Sequence, residues 1–230
     1  MLPNHTFPLG DQAIVLNFGE KIDPVINQKV HEAYAILESI QDGSILEMVP
    51  TYHSLTIYFD SKNCSYAEMK KKIIGILEKY SGSLKASQPR VISIPVVYGG
   101  EFGPDLGRVA EYNELSEQQV IQIHSSTVYP IYMIGFLPGF PYLGGVSSEI
   151  STPRLDQPRG LVKSGSVGIA GAQTGIYPID SPGGWNIIGR TPLKLFQPEQ
   201  PSPFLCEVGD KIQFKPICFE EFYQWKEGES

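Results

Sequence analysis

The 230-residue chain has little cysteine, no basic excess and no long apolar run, and each shortage closes off a class of protein. Its three cysteines, Cys64, Cys206 and Cys218, are widely spaced, odd in number and form no C-x-x-C pair. That excludes a disulfide scaffold and a thiolate metal ribbon, and suits a reducing compartment. Eighteen basic residues face twenty-five acidic ones, and a net charge of −7 argues against nucleic-acid binding, which needs a basic face. The most apolar stretch, VYPIYMIGFLPGFPYL, is interrupted by three prolines and two glycines, so it does not read as a membrane helix. The start, MLPNHTFPLG, lacks the basic residues and apolar core of a secretory signal, and a cytoplasmic location is expected. There is no P-loop, dinucleotide fingerprint, HExxH or G-x-S-x-G. The four histidines, His5, His31, His53 and His124, have no metal-ligand spacing, so no metal site is expected.

What is present divides into two halves. AIVLNF reads as a strand, and DPVINQKVHEAYAILESI as a helix with Asp23 as N-cap and Pro24 in its first turn. ILEMVP and SLTIYF read as strands, and Ser65 caps a second helix, YAEMKKKIIGILEKY, striped by Met69, Ile73, Ile76, Leu77 and Tyr80. The order β-α-β-β-α predicts a split βαβ, ferredoxin-like domain over residues 1–88. Ser81–Pro89 reads as a linker. Residues 89–230 open with the strand VISIPVVY, followed by two short helices, the first opened by Pro104 and the second by a Ser116–Gln119 capping box. From Ser126 onward only short β runs separated by glycine and proline are expected: TVYPIYMIGF, SVGIAG, GIYPI, WNIIG, LKLF and KIQFKP. They predict a barrel or sandwich. The chain as a whole reads as α+β, with an acidic end, KEGES, expected to fray.

The chemistry concentrates in Gly165–Pro192, GSVGIAGAQTGIYPIDSPGGWNIIGRTP, where glycine is too dense for regular structure alone. Between Gly139 and Leu195, five cations (Arg154, Arg159, Lys163, Arg190, Lys194) face three acids (Glu149, Asp156, Asp180). Arginines among glycine turns favour oxyanions, so a carboxylate or phosphate site is one reading and solvated surface arginines the other. In FLPGFPYLGG, Phe136 and Leu143 are expected in the core, with Phe140 and Tyr142 forming an apolar pocket wall. His124 ends a helix; it either satisfies that terminus or acts as the best general base on offer. Gln173 either bonds an amide substrate or pins its loop, Asp180 and Ser181 sit at a turn, and Trp185 either stacks on a ligand or packs.

GFLPGFPYLGG followed by PRLDQPRGLVKSGSVGIAGAQTGIYPIDSPGGWNIIGRTPLKLF closely resembles the family of 5-oxoprolinase B subunits, also called kinase A inhibitor-like or allophanate hydrolase subunit 1. PLGDQAIVLNFG and VPTYHSLTIYFD extend the resemblance over nearly the whole chain. It implies a C-terminal cyclophilin-like barrel and, with the C and A subunits of the same enzyme, ATP-dependent opening of 5-oxoproline to glutamate. It also implies ATP, with magnesium, shared with the C-subunit partner. Relatives imply two other roles: an inhibitor of a sporulation histidine kinase, and part of a biotin-dependent urea carboxylase. The positions matching the family pattern are His124, Pro138, Gly139, Phe140, Arg154, Arg159, Gln173, Ser181, Gly183, Gly184, Trp185, Gly189, Arg190 and Thr191. Of these, His124 and Arg190 are expected to be catalytic. Arg154, Arg159, Gln173, Ser181, Gly183, Gly184 and Thr191 are expected to bind substrate or anion, and Pro138, Gly139, Phe140 and Trp185 to join Tyr142 in the wall. Lys163-Ser164 departs from the family's usual Pro-Ala.

Overall fold

In the computed structural model, which describes residues 2–80 and 89–228, Asp23 starts the first helix. Its carboxylate accepts the N–H groups of Val25 and Ile26 at 2.8 and 3.1 Å, donors that the helix itself leaves without partners. The chain divides into two compact units, Met1–Gln88 and Pro89–Ser230. All of the expected linker except Pro89 lies outside the described residues, as do Glu229 and Ser230 of the acidic end.

The first unit runs β1 (His5–Leu9), β2 (Ala13–Asn17), α1 (Pro24–Ile40), β3 (Ile45–Pro50), β4 (Ser54–Phe59) and α2 (Tyr66–Tyr80). Its sheet has the order β1-β2-β4-β3, every neighbour antiparallel, so β2 and β3 run parallel on either side of β4. Ile14, Leu16, Leu55 and Ile57 of the sheet pack against Val30, Ala33 and Leu37 of α1 and Met69, Ile73 and Leu77 of α2. Ser65 and Glu68 cap α2 reciprocally. β1 is not apparent in the sequence, because Pro8 interrupts it and its Phe7 and Leu9 are exposed. The connectivity is therefore β-β-α-β-β-α, not the expected β-α-β-β-α.

The second unit runs β5 (Val91–Tyr98), α3 (Leu106–Tyr112), α4 (Glu117–Ser126), β6 (Val128–Ile134), β7 (Pro141–Gly144) and β8 (Arg159–Val162). It continues with β9 (Ser166–Ala170), β10 (Gln173–Ile176), β11 (Ser181–Gly183), β12 (Asn186–Arg190), β13 (Lys211–Pro216) and α5 (Phe219–Gly228). Seven strands close a barrel in the order β10-β7-β6-β13-β5-β12-β9, and β8 and β11 form a separate ribbon. The Ser116–Gln119 capping box is present. Pro104 lies outside α3, which begins at Leu106 after Asp105. LKLF forms no strand, only an isolated Phe196–Phe204 bridge. α5 corrects the expectation that no helix follows Ser126; it docks through Phe222 on Val97 and Phe102. Among the described residues no helix is long and apolar enough to cross a membrane.

His124 reaches from α4 into the barrel core, fully buried, with its ring stacked on Phe214 at 4.5 Å. Its Nδ1 lies 2.8 Å from the Tyr98 hydroxyl and its Nε2 2.9 Å from Thr174 Oγ1. Thr174 gives its one hydroxyl proton to the Gly168 carbonyl at 2.9 Å, so its oxygen accepts from His124 Nε2–H. Nδ1 then accepts from Tyr98. Burial pushes the imidazole down to about 3 and the Tyr98 phenol well up. The expected catalytic histidine is thus a neutral cross-link of the core, with both nitrogens occupied.

Because the folded pKa lies below the unfolded value near 6.5, this group's stabilisation is full above pH 6.5 and is lost as pH falls. Stability should drop by about 2 kcal/mol from this residue between pH 7 and pH 5. Denaturant unfolding of the wild type and His124→Gln at both pH values checks it: the substitution should flatten the slope, and equal slopes would refute the assignment.

Candidate functional site

Strand alternation turns Val167, Ile169, Thr174 and Ile176 into the barrel and Gly168, Ala170, Gln173 and Gly175 to its outside. Aromatic residues lie close over two of the outward glycines. A methyl group at Gly175 would come within 2.9 Å of the Phe140 ring, and one at Gly168 within 3.1 Å of Trp185 Cβ. Phe140, Val162, Ala170, Tyr177, Trp185 and Ile187 form a second small core there. Its rings meet edge-to-face, Phe140–Tyr177 at 5.1 Å and Phe140–Trp185 at 5.4 Å. Close aromatic packing therefore accounts for these glycines.

The aromatic assignments change accordingly. Phe140 and Trp185, expected in a pocket wall, are 1% and 5% exposed. Phe136, expected in the core, is 62% exposed, while Leu143 is buried as expected. Tyr142 is half-buried beside Phe140 at 4.8 Å. Pro138 is exposed, and Gly139, with φ +80°, makes the turn that brings Phe140 N–H to the Leu137 carbonyl at 3.0 Å.

Two arginines flank this layer. Arg154 is exposed, with its guanidinium carbon 5.9 Å over the Trp185 ring. Arg159 of β8 reaches Asp105, with Nη2–Oδ1 2.5 Å, while the other Asp105 oxygen accepts Ile187 N–H at 2.6 Å. Arg159 Nη1 and Gln173 Nε2 are buried and have no hydrogen-bond partner among the described residues. Desolvation raises the Tyr142 and Tyr177 phenols, and nearby Arg154 opposes the rise at both. Both phenols therefore stay protonated at neutral pH. Guanidinium, amide N–H and phenol O–H groups surround the layer, a donor set suited to carboxylate or phosphate oxygens.

The other sequence-predicted residues form a different cluster. Arg190 Nε donates to the Ser164 carbonyl at 2.8 Å. Asp180 accepts Ser164 N–H at 2.7 Å and pairs with Lys163 at 2.9 Å, so the unusual Lys163-Ser164 pair is tied into the turn. Gly165, with φ +82°, returns its carbonyl to Thr191 N–H at 2.9 Å. Thr191 is buried and caps its own turn by accepting Leu193 N–H; Ser181 is buried and donates to the Pro182 carbonyl. The hydroxyls of Thr191 and Ser181, expected to bind an anion, are thus each engaged in a local bond. Gly183 leaves room for the Tyr177 hydroxyl, and the Gly184 carbonyl accepts Leu155 N–H at 2.8 Å. β8 pairs Arg159 with Gly183 and Val162 with Ser181, so the two clusters sit at opposite ends of the ribbon, about 10 Å of extended chain apart. The structure thus groups Arg154, Arg159, Tyr142, Phe140 and Trp185, and separates them from Arg190, Ser181 and Thr191.

Asp105 and Tyr177 are site-building residues that the sequence hides. Asp105 stands in an ordinary GPDLG turn, and Tyr177 inside an apolar run. Removing the buried carboxylate strands a half-buried guanidinium, so Asp105→Ala should cost about 3 kcal/mol of stability, against less than about 0.5 for exposed Arg154→Ala. Denaturant titration of both variants distinguishes them; equal small losses would show that the clamp is not stabilising.

Comparison with known proteins agrees with this architecture. Residues 5–206 match the family described as carboxyltransferase domain, subdomain C and D. The chain is 42% identical over 229 residues to the B subunit of 5-oxoprolinase from Bacillus subtilis, covering 95% of each, and 41% identical to that of Haemophilus influenzae, covering 90% and 95%. The crystal structure of TTHA0988 superposes with a TM-score of 0.79 at 33% identity, covering 90% of this chain and 40% of that one. The Kluyveromyces lactis urea amidolyase shares the fold, with a TM-score of 0.75 at 19% identity over 95% of this chain and 15% of that one. With its barrel, its glycine-borne aromatic layer and these relatives, the chain belongs to the family of 5-oxoprolinase B subunits, built on carboxyltransferase subdomains C and D.

Proposed function

We propose that the chain is the B subunit of an ATP-dependent 5-oxoprolinase, acting with homologues of the C and A subunits to convert 5-oxo-L-proline to L-glutamate. The observation that carries this reading is the grouping of Arg154, Arg159 and the protonated Tyr142 and Tyr177 phenols, with Arg159 Nη1 buried and unpartnered among the described residues. A lactam is a poor electrophile, and ATP supplies the phosphoryl group that would activate its oxygen. Both 5-oxoproline and ATP are anionic, and the developing charge of the reaction lies on oxygen. Arg154 and Arg159 hold and orient such oxygens.

No side chain in that group takes up a proton, and His124 is locked in the core. Proton transfer therefore falls to the companion subunits, and the chain alone is inactive. The residues fit the anionic part of ATP; among the described residues no cluster of three acids, histidines or cysteines is placed to hold a cation, so magnesium would be held with the partner. The same reading makes the N-terminal unit a ferredoxin-like sheet whose edge strand comes from the front of the chain, and the barrel cyclophilin-like. A histidine-kinase segment bound along Phe140, Tyr142 and Trp185 is disfavoured, because Phe140 and Trp185 are already packed. Carboxyl transfer from biotin is the weakest reading, since the chain covers only 14% of the Lachancea kluyveri urea amidolyase.

Purified chain mixed with homologues of the C and A subunits, ATP and 5-oxoproline should yield glutamate and ADP. Arg154→Ala should raise KM for 5-oxoproline or ATP at least about tenfold, the scale of one lost charge-assisted bond. Absence of turnover with partners that work beside another family member would sink the proposal.

A further inference from the structure

Phe136 adopts φ +69°, a left-handed backbone conformation that is a steric outlier for an aromatic residue. Gly139, three residues on, meets the same kind of demand without strain. Strain of this sort persists where something else compensates it, and it gathers at functional positions. The ring is 62% exposed and, among the described residues, meets the aromatic layer edge-on at Phe140, 5.7 Å away. The loop beneath it is rigid, closed by Gly135 N–H to the Phe140 carbonyl at 3.2 Å and Phe140 N–H to the Leu137 carbonyl at 3.0 Å.

Apolar surface continues around Gly139 through exposed Pro138 and Phe204, the latter 41% exposed and stacked on Phe196 at 5.3 Å. No Lys, Arg, Asp or Glu occurs from Ser125 to Ser148, in a chain where such residues make up 19%. Exposed aromatics in a segment without charge are the composition of an interface centre. TTHA0988 is a chain of which this one matches 40%, so there the same fold continues into further polypeptide. The present chain covers 95% of its Bacillus subtilis relative, which is named as one subunit of its enzyme. A protein that works as one subunit of an enzyme must hold its companions through a surface of its own.

We infer that Phe136 is the anchor by which this chain docks its companion subunit, its ring entering an apolar pocket on that partner with Pro138 and Phe204 beside it. This rests on the 5-oxoprolinase reading, and the test separates the two. Binding of the purified chain to the C-subunit homologue is measured by calorimetry for the wild type, Phe136→Gly and Arg154→Ala. Phe136→Gly should lose at least about 30-fold in affinity, as a central aromatic anchor does. Its unfolding temperature should stay within about 2 °C of wild type, because glycine relieves the backbone. Arg154→Ala should bind the companion as wild type does.

Wild-type affinity in Phe136→Gly, with an active wild-type assembly, overturns this inference alone. A raised KM for ATP or 5-oxoproline at saturating companion, with affinity unchanged, overturns it in favour of a small-molecule contact. A fall of more than about 8 °C in unfolding temperature overturns it in favour of core packing. Wild-type chain without affinity for the companion overturns the functional reading as well.

Discussion

Asp105 turns its carboxylate away from the helix that it precedes, and the arrangement of the barrel's outer face follows from that choice. β12 slips register against β9 between Ile187 and Gly189. One Asp105 oxygen takes the N–H of Ile187, and Asp105 N–H returns to the Ile187 carbonyl at 2.9 Å. The other oxygen holds Arg159, and through it the β8–β11 ribbon. A buried carboxylate is tolerated here because both oxygens have strong donors. It fixes the entry to α3, the irregular part of β12 and the position of the ribbon at once. Asn186, next along β12, reinforces the same junction: it accepts Arg108 Nε–H at 2.9 Å and donates to the carbonyls of Pro153 and Ile169.

The aromatic layer that this clamp steadies explains the division of labour in the proposed enzyme. Edge-to-face rings over glycine leave little freedom for Trp185, and Trp185 in turn gives Arg154 a flat support. Arg154, Arg159 and the two phenols each carry a donor hydrogen that suits an oxyanion, which is the binding and orienting role proposed for the chain.

Local signals were legible and long-range ones were not. Asp23 before Pro24 and the Ser116–Gln119 box set helix starts through bonds within a few residues, and both appear in the structure. The β runs announced themselves by alternation, except where Pro8 and exposed faces hid β1. Residue type could not say which ring of GFLPGF turns inward: Phe136 and Phe140 exchange their expected places because the loop's left-handed turns at Phe136 and Gly139 decide it. His124 looked like a base because imidazole titrates near neutrality, yet its environment is supplied by Tyr98, Thr174 and Phe214 from three separate strands. The split into two clusters along β8 needed the ribbon's register, which no motif contains.

The barrel is sealed by its own two ends. β5 lies beside β13 in parallel, and Arg90 just before β5 reaches Asp210 just before β13, 120 positions later, with Nη2–Oδ2 2.6 Å. Parallel pairing at that separation is among the slowest contacts for a chain to make, because loop-closure entropy is lost before any ladder rewards it. During synthesis β5 emerges early and must wait with both edges unpaired, since its neighbours β12 and β13 come only near the end of the second unit. For that interval an apolar strand, VISIPVVY, stands open to the wrong neighbour. The proline at its centre, Pro95, removes one backbone donor and so makes the waiting strand a poorer template for misassembly.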